Sequence, residues 1–388
     1  MRILVLAPYF YPEGGGLERY VYNIFSRITR TGHEVSVIAA TRDGYHKHEI
    51  LDGIEVIRIN PHLIASNTPV NFWLLNKIQK FVKSRNIDII NAHMPVPYFS
   101  DIASIYKRMF NNVPLVITYH NDVIKKDFPM SSIANMYNRL ILNNTLSTAD
   151  SIITPSPYCY HESPFLSRYK NKIYWIPPGV DVKRFSRKNF KDIRPELGLR
   201  DTTKIILFVG VMGSYHTHKG VDVLIHAFKK VTNIEKNVAL VLVGKGDMIP
   251  HYKNLAEKLG IRNHVIFTGF VEEAELPNYY LSADIVTLPS INPSEGFGMT
   301  LIEAGAAGKT VIGSNVGGIK YIIKNKKTGL LVPPGDPEAL AQAILYLLEH
   351  NNIRQKMGAT WKNLVRDVYS WSNLSRATLH ILRSTLTK

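Results

Sequence analysis

A single cysteine, Cys159, stands among 388 residues, so no disulfide can form within the chain. That suits a reducing compartment, and a cytoplasmic location is expected. No apolar run approaches the ~20 residues that a membrane-crossing helix needs. The chain is therefore expected to be soluble, or peripheral at the inner face of the membrane. The opening run Arg2-Ile3-Leu4-Val5-Leu6-Ala7 soon meets Pro8, Pro12 and Glu13. It reads as a first strand and not as a signal peptide. No segment is low in complexity, and no repeat recurs at a solenoid period. Acidic residues are the scarce sign: 31 Asp and Glu face 47 Lys and Arg, a net charge of +16. The excess is larger in the first half, where residues 1–200 hold 26 basic and 16 acidic side chains, against 21 and 15 in 201–388. Such a balance suits nucleic acid, an anionic membrane or a phosphorylated small molecule. Aromatic-basic RNA-binding signatures are missing, so nucleic acid is not an expected partner.

Two other signatures are missing. No D-x-D triplet occurs, which argues against a metal-bridged diphosphate and leaves lysine and a helix dipole as counter-charge. The G-x-G-x-x-G pattern is not completed either, because Arg19 stands where a third glycine would follow Gly14 and Gly16. Gly14-Gly15-Gly16 nevertheless lies between a strand and a helix, so it reads as a phosphate-capable loop or a plain tight turn.

What the chain does have is alternation. Short β-branched runs at 3–7, 35–39, 54–59, 87–91, 115–119, 151–154 and 172–176 are interleaved with helical patterns. Leu17, Val21, Ile24 and Ile28 mark the first amphipathic helix, and Gly32 stops it. The pattern weakens over Lys183–Thr203, a basic stretch read as a linker. It restarts at 204–209, 239–243, 265–268, 285–288 and 310–313, and helices close the chain at 337–351, 353–369 and 371–386. Two parallel α/β domains are expected, each with a ligand crevice at the carboxyl ends of its strands.

The most specific motif runs from Pro289 to Ala304. A strand ends at Leu288, a glycine-containing loop follows, and a helix begins near Gly298. Helix-start amides suit a diphosphate, and Glu295 and Glu303 bracket that start. A carboxylate accepts hydrogen bonds from a pair of ribose hydroxyls. The bland reading of both glutamates is a solvated surface.

Glu295-Gly296-Phe297-Gly298 followed by Glu303-Ala304 resembles the E-x7-E signature of retaining glycosyltransferases of family 4 (group 1), which have the GT-B fold. The resemblance spans nearly the whole chain, through Pro12-Glu13-Gly14-Gly15-Gly16, Gly32-His33-Glu34-Val35, His120-Asn121-Asp122 and Ile176-Pro177-Pro178-Gly179-Val180-Asp181. It continues through Lys219-Gly220, Val243-Gly244-Lys245-Gly246, Val316-Gly317-Gly318, Gly329-Leu330-Leu331-Val332 and Pro334-Gly335-Asp336. It implies a nucleotide-sugar-dependent transferase of two Rossmann-like domains facing each other across a cleft. The acceptor domain would span 1–182, with helix 371–388 packed back on it, followed by a linker at 183–203 and a donor domain at 204–370.

The resemblance also implies roles. Glu303 would bind the ribose, Glu295 the donor sugar, and Lys219 the diphosphate. Amides of Gly298, Met299, Thr300 and Leu301 would share that task. His120 would stand near the sugar, while Gly15, Gly16 and Gly244 would line the donor. No cofactor or metal is implied, since a UDP- or GDP-sugar is a co-substrate. Two places depart from the family pattern. Val211-Met212 stands where an arginine usually partners the lysine, leaving His216 or His218 to assist, and Lys320-Tyr321 replaces a usual Pro-Glu.

The pairs His46/His48 and His216/His218 have H-x-H spacing, but no cysteine or carboxylate of matching spacing joins them, which argues against a metal site. His93 ends a strand, as His120 does. Phe72–Lys83 mixes aromatics with lysines: Leu74, Ile78, Phe81 and Val82 fall on one helical face, and Lys77, Lys80 and Lys83 on another. It reads either as a core-packed surface helix or as a patch resting on anionic lipid, which would suit a lipid-linked or glycan acceptor. Tyr106, Lys107, Arg108, Met109, Phe110, Lys125 and Lys126 add similar composition. Two rivals stay open: a nucleotide-sugar epimerase on the same architecture, which would turn over donor without acceptor, and a non-catalytic basic protein binding nucleic acid or lipid.

Overall fold

The computed structural model describes residues 1–42, 44–65, 68–123, 130–187 and 189–387. It divides into two compact units, Met1–Pro178 with Trp371–Lys388, and Gly179–Ser370.

Among its described residues the first unit has ten strands: β1 (Arg2–Leu6), β2 (Glu34–Ala40), β3 (Lys47–Leu51), β4 (Ile54–Ile59), β5 (Leu63–Ala65), β6 (Thr68–Val70), β7 (Ile89–Met94), β8 (Leu115–Tyr119), β9 (Ser151–Thr154) and β10 (Ile173–Trp175). Eight of them form one sheet in the order β10-β9-β8-β7-β1-β2-β4-β3, while β5 and β6 pair as a separate hairpin. All neighbours in the main sheet run parallel except β3, which is antiparallel to β4. Ile3, Leu4, Val5 and Leu6 of β1 are wholly buried, as expected of a strand covered on both faces. The helix Gly16–Thr29 buries Tyr20, Val21, Ile24, Phe25 and Ile28. It packs against the final helix, Trp371–Leu386, which buries Leu374, Leu379 and Leu382.

The second unit carries β11 (Lys204–Val209), β12 (Val238–Val243), β13 (Val265–Gly269), β14 (Ile285–Leu288), β15 (Thr310–Ser314) and β16 (Gly329–Val332) in the order β13-β12-β11-β14-β15-β16. All neighbours are parallel. In each sheet the chain reverses its direction of growth beside its first strand, between β1 and β7 and between β11 and β14. Loops leaving the carboxyl ends of those two neighbours diverge, and the crevice between them is where open α/β sheets take ligands.

Several features differ from the sequence expectations, the strands β5, β6 and β16 among them. Lys183–Thr203 is not a free linker. Phe185 is 2% exposed and meets the Tyr280 ring at 5.4 Å, Ile193 is buried with its amide on the Ser282 hydroxyl at 3.1 Å, and Arg194 reaches Asp284 at 3.2 Å. Arg184, Arg187, Arg194 and Arg200, which help make the stretch look like solvated tether, find acceptors in Glu273, Asn278, Asp284 and Asn237 of the second unit, and the boundary falls at Pro178. The strand β3 was also not foreseen. Its sequence KHEIL is half polar because it is an edge, where exposed charge is tolerated.

Candidate functional site

At the reversal point of the second unit, β11 is followed by a loop ending in the turn Ser214–Lys219, and β14 by the loop 289–298. The two loops are stitched together. Ile291 donates its amide to the His218 carbonyl at 2.8 Å. Gly220 ends the turn in a left-handed conformation, φ +71°, and a Cβ there would stand 2.1 Å from the Pro289 carbonyl oxygen. Only glycine allows that approach. The result is that Lys219 Nζ lies 2.7 Å from Glu295 Oε2, with the two side chains only 17% and 12% exposed. Glu295 is braced from behind, because the Gly318 amide donates to its carbonyl at 2.9 Å and a Cβ on Gly317 or Gly318 would strike that loop. His218 is held below its ordinary pKa by burial and by the neighbouring Lys219 charge, so it adds no further positive charge near neutral pH.

The helix Met299–Ala306 starts at Gly298, whose φ is +91°. Thr300 Oγ1 donates to the Val209 carbonyl at 3.1 Å, which fixes the helix start to the end of β11. The positive end of this helix lies at Met299 and Thr300, ahead of the intrahelical ladder. Leu301 differs from the expectation: its amide already donates to the Gly298 carbonyl at 2.9 Å. Gly244 differs too. Its amide donates to the Gly269 carbonyl at 2.8 Å, and a Cβ would lie 1.9 Å from the Gly210 carbonyl oxygen. It is there because two loop backbones touch.

Glu303 is half-buried one and a half turns into the helix, and the Tyr280 hydroxyl donates to its Oε2 at 2.5 Å. Tyr280 is wholly buried, and burial, then the Glu303 charge, pushes its hydroxyl pKa well above the ordinary value. It therefore stays protonated and orients the carboxylate. Trp361 anchors the same helix, its Nε1 donating to the Leu301 carbonyl at 2.8 Å, and Gly305 leaves room for its ring. Sequence reasoning missed Tyr280, since nothing local marks a tyrosine 23 residues upstream as the partner of Glu303.

In the first unit, the loop after β1 carries Gly14, Gly15 and Gly16. Gly14 is the one that must be glycine, with φ +107° and the Glu18 side chain 2.3 Å from an added Cβ. The Gly15 amide donates to Glu18 Oε2 at 2.6 Å, so this helix start is occupied by its own carboxylate, while Gly16 faces open space. That leaves less of the loop available to a phosphate than the glycine run suggests. His120 follows β8 and is half-buried. Its Nε2 stands 3.1 Å from Nδ1 of His93, which is wholly buried at the end of β7. Tyr20 meets the His120 ring edge-on at 5.2 Å. Burial lowers the His120 pKa to about 3 and that of His93 well below the ordinary histidine value, so both rings are neutral at pH 7.

The helix Leu74–Arg85 buries Leu74, Ile78 and Val82, so its apolar face belongs to the core. Phe72 and Trp73 remain 68% and 59% exposed at its start, and Leu63 and Ile64 of the β5–β6 hairpin are exposed as well. Lys80 and Lys83 are exposed and Lys77 half-buried. In the second basic-aromatic stretch Tyr106 is buried and Lys107 pairs with Asp150 at 3.3 Å, while Arg108, which bonds Thr148 at 2.8 Å, and Met109 are exposed. Lys125 and Lys126 lie outside the described residues. His46 accepts from the Asn60 amide while His48 pairs with Glu55, and the His216 and His218 rings stand 6.0 Å apart. No helix among the described residues is long and apolar enough to cross a membrane.

Known proteins share this pattern throughout. Residues 14–184 match Glycosyltransferase Family 4, and residues 189–363 match Glycosyl transferases group 1. An uncharacterised glycosyltransferase of Methanocaldococcus jannaschii is 30% identical over 382 residues, covering 95% of this chain and 94% of its own. The phosphatidyl-myo-inositol mannosyltransferase of Mycolicibacterium smegmatis is 26% identical, covering 98% and 93%. Among solved structures, an Anabaena protein in complex with UDP superposes with a TM-score of 0.76 at 21% identity, covering 99% of this chain and 100% of its own. The loop-and-helix site, the two parallel sheets and these matches together make the chain a glycosyltransferase of group 1, family 4, with the GT-B fold.

Proposed function

We propose that this enzyme transfers a hexose from a UDP- or GDP-sugar to a glycan or lipid-linked acceptor, with retention of anomeric configuration and without a divalent metal. The observation that carries the reading is the Lys219–Glu295 pair, which joins the loops after β11 and β14, just ahead of the Met299–Ala306 helix that carries Glu303. Lys219 and the helix start face the diphosphate, Glu303 accepts from the ribose hydroxyls, and Glu295 serves both Lys219 and the sugar. His120 adds a polar contact to the sugar.

The chemistry follows from charge. As the bond between the anomeric carbon and the diphosphate oxygen breaks, negative charge grows on that oxygen, and a fixed cation and helix dipole stabilise it more than they stabilise the ground state. The acceptor hydroxyl attacks from the face the diphosphate leaves. Its oxygen bonds the anomeric carbon, and its proton passes to the departing phosphate oxygen. No covalent enzyme intermediate is needed.

The relative that acts on phosphatidyl-myo-inositol supports a lipid-linked acceptor. So do the exposed Phe72 and Trp73 at the start of the helix that carries the exposed Lys80 and Lys83, which suit a peripheral position at the inner, anionic face of the membrane. The reading is tested with a panel of UDP-, GDP- and ADP-sugars scored by thermal shift, because a ligand that binds the native state raises its apparent stability. One nucleotide class is expected to raise the melting temperature and to be turned over only when acceptor is present. Turnover of a nucleotide sugar to a new sugar with no acceptor would make the chain an epimerase instead.

A further inference from the structure

His93 and His120 end adjacent parallel strands, β7 and β8, and their rings face each other. The 3.1 Å contact joins Nδ1 of His93 to Nε2 of His120, so one ring must donate and the other accept. Which does so is decided by what lies at the far side of each ring. His93 is wholly buried, its ring lies 6.3 Å edge-on from Phe25, and among the described residues none bonds its Nε2. A proton placed on that Nε2 would be an orphaned buried donor, which folded proteins avoid more strictly than an unpaired lone pair. The proton of a neutral His93 therefore sits on Nδ1 and points at His120.

The consequence passes to the second ring. A neutral imidazole has one donor and one acceptor nitrogen. With Nε2 of His120 accepting from His93, its own proton is on Nδ1. His120 is half-buried, and among the described residues none bonds that Nδ1. We propose that His93 is a positioning residue that locks His120 in the Nδ1–H tautomer, so that His120 offers the sugar a fixed hydrogen-bond donor and does not act as a base. This rests on the reading that His120 contacts a sugar oxygen. The tautomer itself does not depend on that reading. Burial keeps both rings neutral through the physiological range, so the lock needs no charge.

The test reads tautomers directly. In the full-length 15N-labelled chain at pH 7, long-range imidazole 1H–15N correlations separate pyrrole-type from pyridine-type nitrogens, and His93→Phe and His120→Gln variants assign the signals. Both rings are expected as Nδ1–H tautomers. In His93→Phe, which keeps the apolar contact with Phe25, His120 is expected to relax toward the Nε2–H form that predominates in free neutral imidazole. His93→Asn retains an amide donor where Nδ1 stood and is expected to preserve the Nδ1–H form. Transfer assays follow the same order: kcat/KM falls about three- to tenfold in His93→Phe, the loss expected for one neutral hydrogen bond, and recovers in His93→Asn. An Nε2–H or doubly protonated His120 in the unaltered protein would overturn the proposal. So would an Nδ1–H His120 that persists in His93→Phe. If that variant fails to fold, the tautomer in the unaltered chain and in His93→Asn still decides. A protein that shows the lock but transfers no sugar would instead overturn the functional reading alone.

Discussion

The ammonium of Lys219 stands 2.7 Å from the carboxylate of Glu295, although the two residues are 76 apart in the chain. Both are mostly shielded from solvent, so removing one partner leaves an uncompensated shielded charge, and the contact gives the lysine one preferred position. On the proposed reading, a cation fixed before substrate arrives does not have to be reoriented as charge develops on the leaving diphosphate.

Replacing Lys219 by alanine is therefore expected to lower kcat by about 100-fold or more, the scale of losing one preorganised charge-stabilising group. Lys219→Arg should restore only part of it, because the planar guanidinium does not reproduce a compact ammonium. EDTA should leave the unaltered enzyme active. Steady-state kinetics on the three proteins, with and without chelator, check this. Wild-type kcat in Lys219→Ala, or a strict need for divalent metal, would place the counter-charge elsewhere.

Glu303 and Tyr280 make a second linked pair. Removing the carboxylate should cost roughly 1.5–3 kcal/mol of donor binding, about 10- to 150-fold in affinity, if it accepts from both ribose hydroxyls. Tyr280→Phe keeps the carboxylate and removes only the phenol hydrogen bond to it, so the loss should be smaller, in the range of about 0.5–1.5 kcal/mol. Calorimetry with the nucleoside diphosphate measures both. Equal nucleotide affinity in Glu303→Ala and the unaltered protein would remove Glu303 from the binding site.

His120 makes stability depend on pH, with a definite sign. Its pKa is lowered by burial to about 3 from an ordinary value of 6.5, so the unfolded chain takes up a proton at a higher pH than the folded one. Where the unfolded state binds more protons, stability falls as pH falls. The contribution is thus fully present above pH 6.5 and is lost progressively as pH drops toward 3. His120→Gln should flatten that part of the profile. Urea unfolding at pH 7, 6, 5 and 4 tests it, and parallel profiles for the two proteins would show that His120 is as easily protonated in the fold as out of it.

The difference between what the sequence reveals and what only the fold reveals has a simple cause. Glu295, Gly298 and Glu303 are legible because strand end, loop and helix start are consecutive, so spacing alone sets their geometry. The parallel strands are legible because strands covered on both faces read as unbroken apolar runs, as in β1 and β12. Tyr280, His93 and Glu18 were not recognised as partners because each acts through a contact that folding creates. The roles of Gly220 and Gly244 are likewise tertiary, each resting on a carbonyl oxygen from another loop. The stretch 183–203 was misread because composition records its charge and not the acceptors, such as Asp284, that neutralise it.

The surface of the first unit carries the last expectation. Phe72 and Trp73 project from the start of a helix whose apolar face is already spent in the core, and Phe72 stacks on His62 at 5.0 Å, which holds it outward. Exposed aromatics of this size at the start of the helix that carries Lys80 and Lys83 suit shallow insertion at an anionic bilayer, where each lysine adds about 1 kcal/mol that salt screens. Co-sedimentation with anionic vesicles is expected at low salt and not with neutral ones. Phe72→Ser with Trp73→Ser should weaken binding at all salt concentrations, since it removes the apolar part. Lys80→Glu with Lys83→Glu should abolish the preference for anionic lipid, and neither pair should alter transfer to a soluble acceptor analogue. If the unaltered protein stays in the supernatant with anionic vesicles at low salt, this surface is not a membrane contact, and a soluble glycan acceptor becomes the favoured reading.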